Sequence, residues 1–321
     1  MIDFPIFLAK FTAMRTHGSE LGKEYGKIYH QITLRKRLVR ENKRMTRDRA
    51  KEKIMRIPQQ WAKFLWMALS GGVVLAGLLV ISKDSYLLFH TLIEMFSIIV
   101  AGSTFMIAWN ARSYLDNDYF LFVGIAYFFI GFIDLLHTLA YHGMGVFVAA
   151  GSNLATQLWI AGRYLQSITL LIAPLFCSRK LKIRFQLLIY SLITSLLLAS
   201  IFYWRIFPVC YIEGSGLTTF KIVSEYIVIA ILGAAILLLL QQKQWFDRNV
   251  LRLLVWSMIA TVAAELAFTS YTNVYGSTNV IGHFLRLISF YLAYKAIVET
   301  GLIKPQIVLF RNLTESERFV A

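Results

Sequence analysis

Eight mostly apolar stretches recur along the chain, at 61–81, 86–109, 119–141, 156–177, 182–203, 222–241, 249–270 and 279–299, separated by short polar connections. A helix needs about 20 such residues to cross a hydrocarbon core about 30 Å thick, with its backbone hydrogen bonds satisfied internally. The pattern predicts an all-α polytopic membrane protein, with eight transmembrane helices bundled over 61–299. Residues 1–60 carry 15 Lys/Arg against 6 Asp/Glu and form a basic N-terminal extension. Within it, 31–56 alternate basic and apolar residues, which suits either a helix lying on the inner leaflet or a solvated tail. Residues 300–321 form a short amphipathic connector with no output domain behind it.

Charge sets the orientation. With the basic head inside, the cytoplasmic loops carry Arg112, Arg179, Lys180, Lys182, Arg184, Lys243 and Arg248, and the outer ones Lys83, Arg205 and Lys221. Seven cations against three place both termini in the cytoplasm. Trp61, Trp109, Trp159, Trp204 and Trp245 fall near span ends, as an interfacial aromatic belt requires. A composition of 57% hydrophobic and 16% charged residues excludes a soluble globule, a disulfide scaffold and a disordered chain. Of the net charge of +15, the first 60 residues supply +9, so the excess reports topology and headgroup attraction and no nucleic acid is expected as a partner. Cys177 and Cys210 fall at opposite faces of the bilayer and cannot pair. No cleavable signal peptide opens the chain, and the expected location is the inner (plasma) membrane.

Ionisable groups inside a bilayer are costly, so their placement is informative. Counting about 1.5 Å per residue, His90, Glu94, Asp134, His137, Arg163, Glu225, Glu265, His283 and Arg286 all lie about 4 to 12 Å below the outer ends of six spans. His142 sits at the mouth. The inner half offers only Lys63, Arg252 and Lys295, which can snorkel. Polar groups at one depth on six helices lower their desolvation cost by facing one another or a hydrated pocket. His90 and Glu94 at i,i+4, and Asp134 and His137 at i,i+3, each share a helix face. Imidazole and carboxylate one turn apart on two helices is how bundles hold transition metals. His90, Glu94, Asp134, His137, His142 and His283 are therefore the candidate ligands of zinc, copper or iron. Two of the histidines could alternatively be axial ligands of a haem. Arg163, Glu225, Glu265 and Arg286 would line a small-ligand pocket, or form structural ion pairs as Glu265–Arg286 and Glu225–Arg163. Gly124 with Gly131, and Gly143 with Gly145, suit close helix approach and a tight turn.

The segments FHTLIEMFSIIVAGSTFMIAWNAR (89–112), FLFVGIAYFFIGFIDLLHTLAYHGM (120–144), QLWIAGRYLQSITLLIAP (157–174) and HFLRLISFYLAYKAIVETGLIKP (283–305) resemble the third of the membrane-associated sensor (MASE) domain families, over about residues 60–312. The resemblance places family motif positions on His90, Glu94, Asp134, His137, His142 and Arg163. It implies an input module that relays to a cytoplasmic PAS, diguanylate cyclase or histidine kinase output, commonly as a homodimer. The family would continue into such an output beyond 321, so the chain is expected to be truncated or a stand-alone module signalling through a partner.

The function expected is a sensory input domain, not an enzyme, that binds a metal, haem or small ligand in an outer-leaflet pocket and relays occupancy inward. The alternative is an intramembrane zinc-dependent hydrolase, which would need an activated water. A transporter would show polar groups through the full membrane depth, which the apolar inner half lacks.

Overall fold

The computed structural model describes residues 20–115, 117–147, 151–269, 276–298 and 300–301. They fall in two compact units, 1–77 and 78–321. The first unit's described part is helical and belongs to α1 (Glu20–Asp84), which ends in the second unit. The basic stretch is thus helical, and the first expected span, 61–81, lies on the same helix. The connector lies outside the described residues beyond 301.

The second unit contains α2 (Tyr86–Ala111), α3 (Tyr119–Ala140), α4 (Ser152–Ile172), α5 (Ile183–Leu198), α6 (Thr219–Gln241), α7 (Arg248–Phe268) and α8 (Ser277–Val298). A 3-10 turn, Ala173–Cys177, prolongs α4 and a π turn, Ala199–Tyr203, prolongs α5. Among the described residues, seven helices, α2 to α8, are long and apolar enough to cross a membrane. The chain is an all-α, multi-pass membrane protein. The predicted spans match these helices closely except at α4, which starts four residues early at the polar run Ser152, Asn153 and Thr156. A two-stranded hairpin, Tyr211–Ile212 with Gly216–Leu217, went unforeseen. Its turn runs through Gly214 and Gly216 at φ 82° and 87°, a region that disfavours other residues.

Helix contacts close a ring: α2 packs on α3, α3 on α4, α4 on α6, α6 on α7, α7 on α8, and α8 back on α2. These are the six helices that carry the expected polar residues. Outside the ring, α5 packs on α3 and buries only Gln186, Tyr190 and Thr194, so most of its surface is free to meet lipid. At the α2–α3 contact, a Cβ on Gly124 would stand 2.5 Å from Ala108 Cβ, and one on Gly131 3.0 Å from Ala101 Cβ. Glycine and alanine one heptad apart on facing helices let the backbones approach, as expected. Gly143 and Gly145 also take the positive φ of a tight turn, 96° and 73°.

Candidate metal and ion-pair site

Local caps aim the site residues. Ser85 caps α2 by accepting the Leu88 N–H at 3.3 Å, setting the turn that carries His90. Thr218 caps α6 in the same way through Lys221 N–H at 3.3 Å. The hairpin reaches back to α4: Glu213 Oε1 accepts the Ser152 N–H at 2.8 Å, and Asn153 Oδ1 accepts the N–H groups of Cys210 and Tyr211. The Ser152 N–H holds the Glu213 carboxyl below the usual carboxylate range, whereas burial pushes the Cys210 thiol up to about 12.

Within the ring, Asp134 is the anchor of an ion-pair network. Its Oδ1 accepts from Arg163 at 2.6 Å and its Oδ2 from Arg286 at 2.7 Å. The same Arg286 nitrogen lies 3.1 Å from Glu94 Oε2. Arg163 also donates to Gln166 Oε1, whose amide donates to the Tyr127 hydroxyl at 3.2 Å. The guanidinium carbons of Arg163 and Arg286 lie 4.7 and 4.5 Å from the Trp159 ring centre, within cation–π range. These buried pairs satisfy charges that would otherwise be expensive in the membrane.

Beside the network, three imidazoles converge. The His90 ring centre lies 4.8 Å from that of His283 and 5.4 Å from that of His137, and the His90 ring stacks on Tyr141 at 3.7 Å. His137 Nδ1 meets the Ala155 carbonyl and His283 Nδ1 the Asn279 carbonyl, each at 2.8 Å. A carbonyl only accepts, so both Nδ1 atoms carry hydrogen, and in the neutral rings both Nε2 atoms carry lone pairs. Those two Nε2 atoms, both His90 nitrogens and Glu94 Oε1 are buried without a hydrogen-bond partner. Buried polar groups are rarely left so, and an ion or water would supply the missing partner. Ligand atoms of His90, Glu94 and His283 lie within 4.8 Å of one another, the one such group among the described residues. The three histidines line a cavity of about 30 Å³, which reaches the exposed His142 at its mouth.

The structure sorts the expected residues. It brings His90, His137, His283 and Glu94 together, and leaves His142 on the rim. Asp134 shares its oxygens between two arginines, so Glu94 is the carboxylate left facing the imidazoles. The expected pairs Glu265–Arg286 and Glu225–Arg163 give way to others. Glu225 Oε1 meets Lys221 at 2.6 Å and Trp159 Nε1 at 3.1 Å, with Glu265 beside it. Three residues are corrected. Lys221, counted as a loop cation, is buried in α6 and also donates to the Phe268 carbonyl at 2.7 Å. Its i,i+4 spacing to Glu225 was the available signal. Without it the outer loops of that count carry only Lys83 and Arg205. Trp159, assigned to the interfacial belt, is buried among the site charges, and Tyr141, whose spacing gives it no role in advance, stacks directly on His90.

A family model described as a membrane-associated sensor domain, MASE3, matches residues 81–305, which is 225 of the 321 residues. No curated protein and no solved structure matches the chain. The match covers the whole ring and every residue of the site, and the family is sensory and not catalytic, which sets the hydrolase reading aside. The chain belongs to the MASE3 family of membrane-associated sensor domains.

Proposed function

We propose that this membrane sensor domain detects a single transition-metal ion, held by His90, His283 and Glu94 with His137 as a fourth ligand. The observation that carries the reading is the set of partnerless nitrogens of His90, His137 and His283, whose residues line a cavity of about 30 Å³, with the partnerless Glu94 Oε1 3.6 Å from His283 Nε2. A space of that size takes one ion or a water molecule. A haem or drug-sized ligand needs roughly 300 Å³ or more, so the ion is preferred. The carbonyls on the Nδ1 atoms of His137 and His283 act as outer-shell partners, which fix the tautomer that a metal needs.

Arg286 is the link from occupancy to output. It joins Glu94 of α2 and Asp134 of α3 to α8. A cation on Glu94 Oε1 would weaken that carboxylate's hold on Arg286 and let α8 shift. The ion can drive the shift only by binding the two arrangements unequally. In this reading eight helices span the inner membrane with both termini cytoplasmic, α1 supplying the first. The recipient is a cytoplasmic output of PAS, diguanylate cyclase or histidine kinase type, reached through the connector, and a homodimer is the working assembly. Titration of the purified protein with Co²⁺ tests the site: visible bands should saturate at one equivalent and be absent from Glu94→Gln. Equal bands in both proteins, or none in either, would overturn it.

A further inference from the structure

At the end of the ring opposite the histidines, the start of α7 and the end of α8 border an open groove of about 390 Å³. Asn249, Arg252, Leu253 and Trp256 line it from α7 and Lys295 from α8. Both cations are exposed, Trp256 is 60% exposed, and no carboxylate lines the groove among the described residues. Arg252 is steered by a hydrogen bond to Asn249 Oδ1. Lys295 stands in the last turn of α8. Both helices are long and apolar enough to span a membrane, and the groove lies at one end of each.

We propose that the groove binds the phosphate of an anionic phospholipid between Arg252 and Lys295. The phosphodiester meets two cations from adjacent helices, and the acyl chains run along Leu253 and Trp256. Tryptophan suits that boundary because its ring is amphipathic. A peptide partner is disfavoured because the outward residues continuing from the groove, Ile259 on α7 and Tyr291 and Ile288 on α8, are bare and lie along membrane spans. The site has a structural consequence. Halfway along, Ser257 Oγ donates to the Ser289 carbonyl at 2.9 Å and Ser289 Oγ to the Ser257 carbonyl at 2.8 Å, sewing α7 to α8. A bound headgroup clamps the inner ends of the same pair, which carries Glu265, His283 and Arg286 at the other end. The proposal does not depend on the metal reading.

Native mass spectrometry of the full chain, titrated with phosphatidylglycerol or phosphatidylcholine, tests it. Each cation near a headgroup contributes about 1 kcal/mol, so Arg252→Gln/Lys295→Gln should bind phosphatidylglycerol roughly 30-fold more weakly. A control variant, Arg179→Gln/Lys180→Gln, removes two exposed cations away from the groove and should bind like wild type. Equal retention of phosphatidylcholine, an unaffected double variant, or an equal loss in the control would overturn the site. Displacement of the lipid by millimolar inorganic phosphate would make it a site for soluble anions, contrary to the proposal. Both variants change exposed side chains, so unaltered helicity by circular dichroism certifies the fold.

Discussion

His283 Nε2 and Glu94 Oε1 face each other across 3.6 Å, from α8 and α2. The distance is too long for a hydrogen bond, and with Nδ1 donating to Asn279 both atoms present lone pairs. Two ligands about 2.0–2.1 Å from a tetrahedral ion stand roughly 3.4 Å apart, so a cation between these atoms relieves their repulsion with little movement. Glu94→Gln keeps the shape and removes the charge. It should weaken metal binding by more than the roughly 10–100-fold that loss of an outer-shell partner costs. Cobalt titration of the folded variant reads this directly.

Asp134 and Arg286 form a pair whose halves depend on each other. Removing one partner of a buried pair costs about 3–5 kcal/mol, because the other charge is stranded. Arg286→Gln should therefore lower the thermal midpoint sharply. Because Asp134 also holds Arg163, Asp134→Asn combined with Arg286→Gln should cost less than the sum of the two single losses, and a double-mutant cycle measures the coupling. Strictly additive losses would contradict the pairing.

The α2–α3 approach makes a prediction about packing. Gly124→Ala sets two Cβ atoms 2.5 Å apart, so the helices must separate. Overpacking of this kind typically costs about 1–3 kcal/mol. Ala108→Gly in the same chain removes the nearest obstruction, leaves the Thr104 carbonyl at 3.2 Å, and should restore part of the thermal midpoint.

Glu213 gives a pH dependence outside the membrane. Its folded pKa is depressed by the Ser152 N–H, so it contributes stability above its unfolded value, about 4.3, and loses it as pH falls through the folded value. Protection factors for amide hydrogen exchange in 208–218, taken against the intrinsic rate at each pH, should fall over that acidic window in wild type. In Glu213→Gln the exchange should be faster at neutral pH and lose this response to acid.

The spans and the depth of the polar residues were legible because hydropathy and a fixed rise per residue determine them. Depth places His90, Glu94, His137 and His283 in one slab, but not the rotation of each helix about its axis. That is why Arg163 and Arg286 were matched to Glu225 and Glu265 when both turn towards Asp134. Lys221 and Trp159 were missed for a related reason. A lysine or tryptophan near a span end reads as an interfacial anchor unless its carboxylate partner is recognised, here Glu225. The hairpin at 211–217 is too short for a periodicity to register. Cavity volume, which favours an ion over a haem, has no signature in sequence at all.

Metal content shows whether the histidine site holds an ion. The protein should be purified in detergent without chelator and analysed beside His90→Ala/His137→Ala. Wild type should carry close to one zinc, copper or iron per chain and the variant little, with both equally helical. Wild-type protein that carries no metal and takes up none when it is offered would contradict the proposed site.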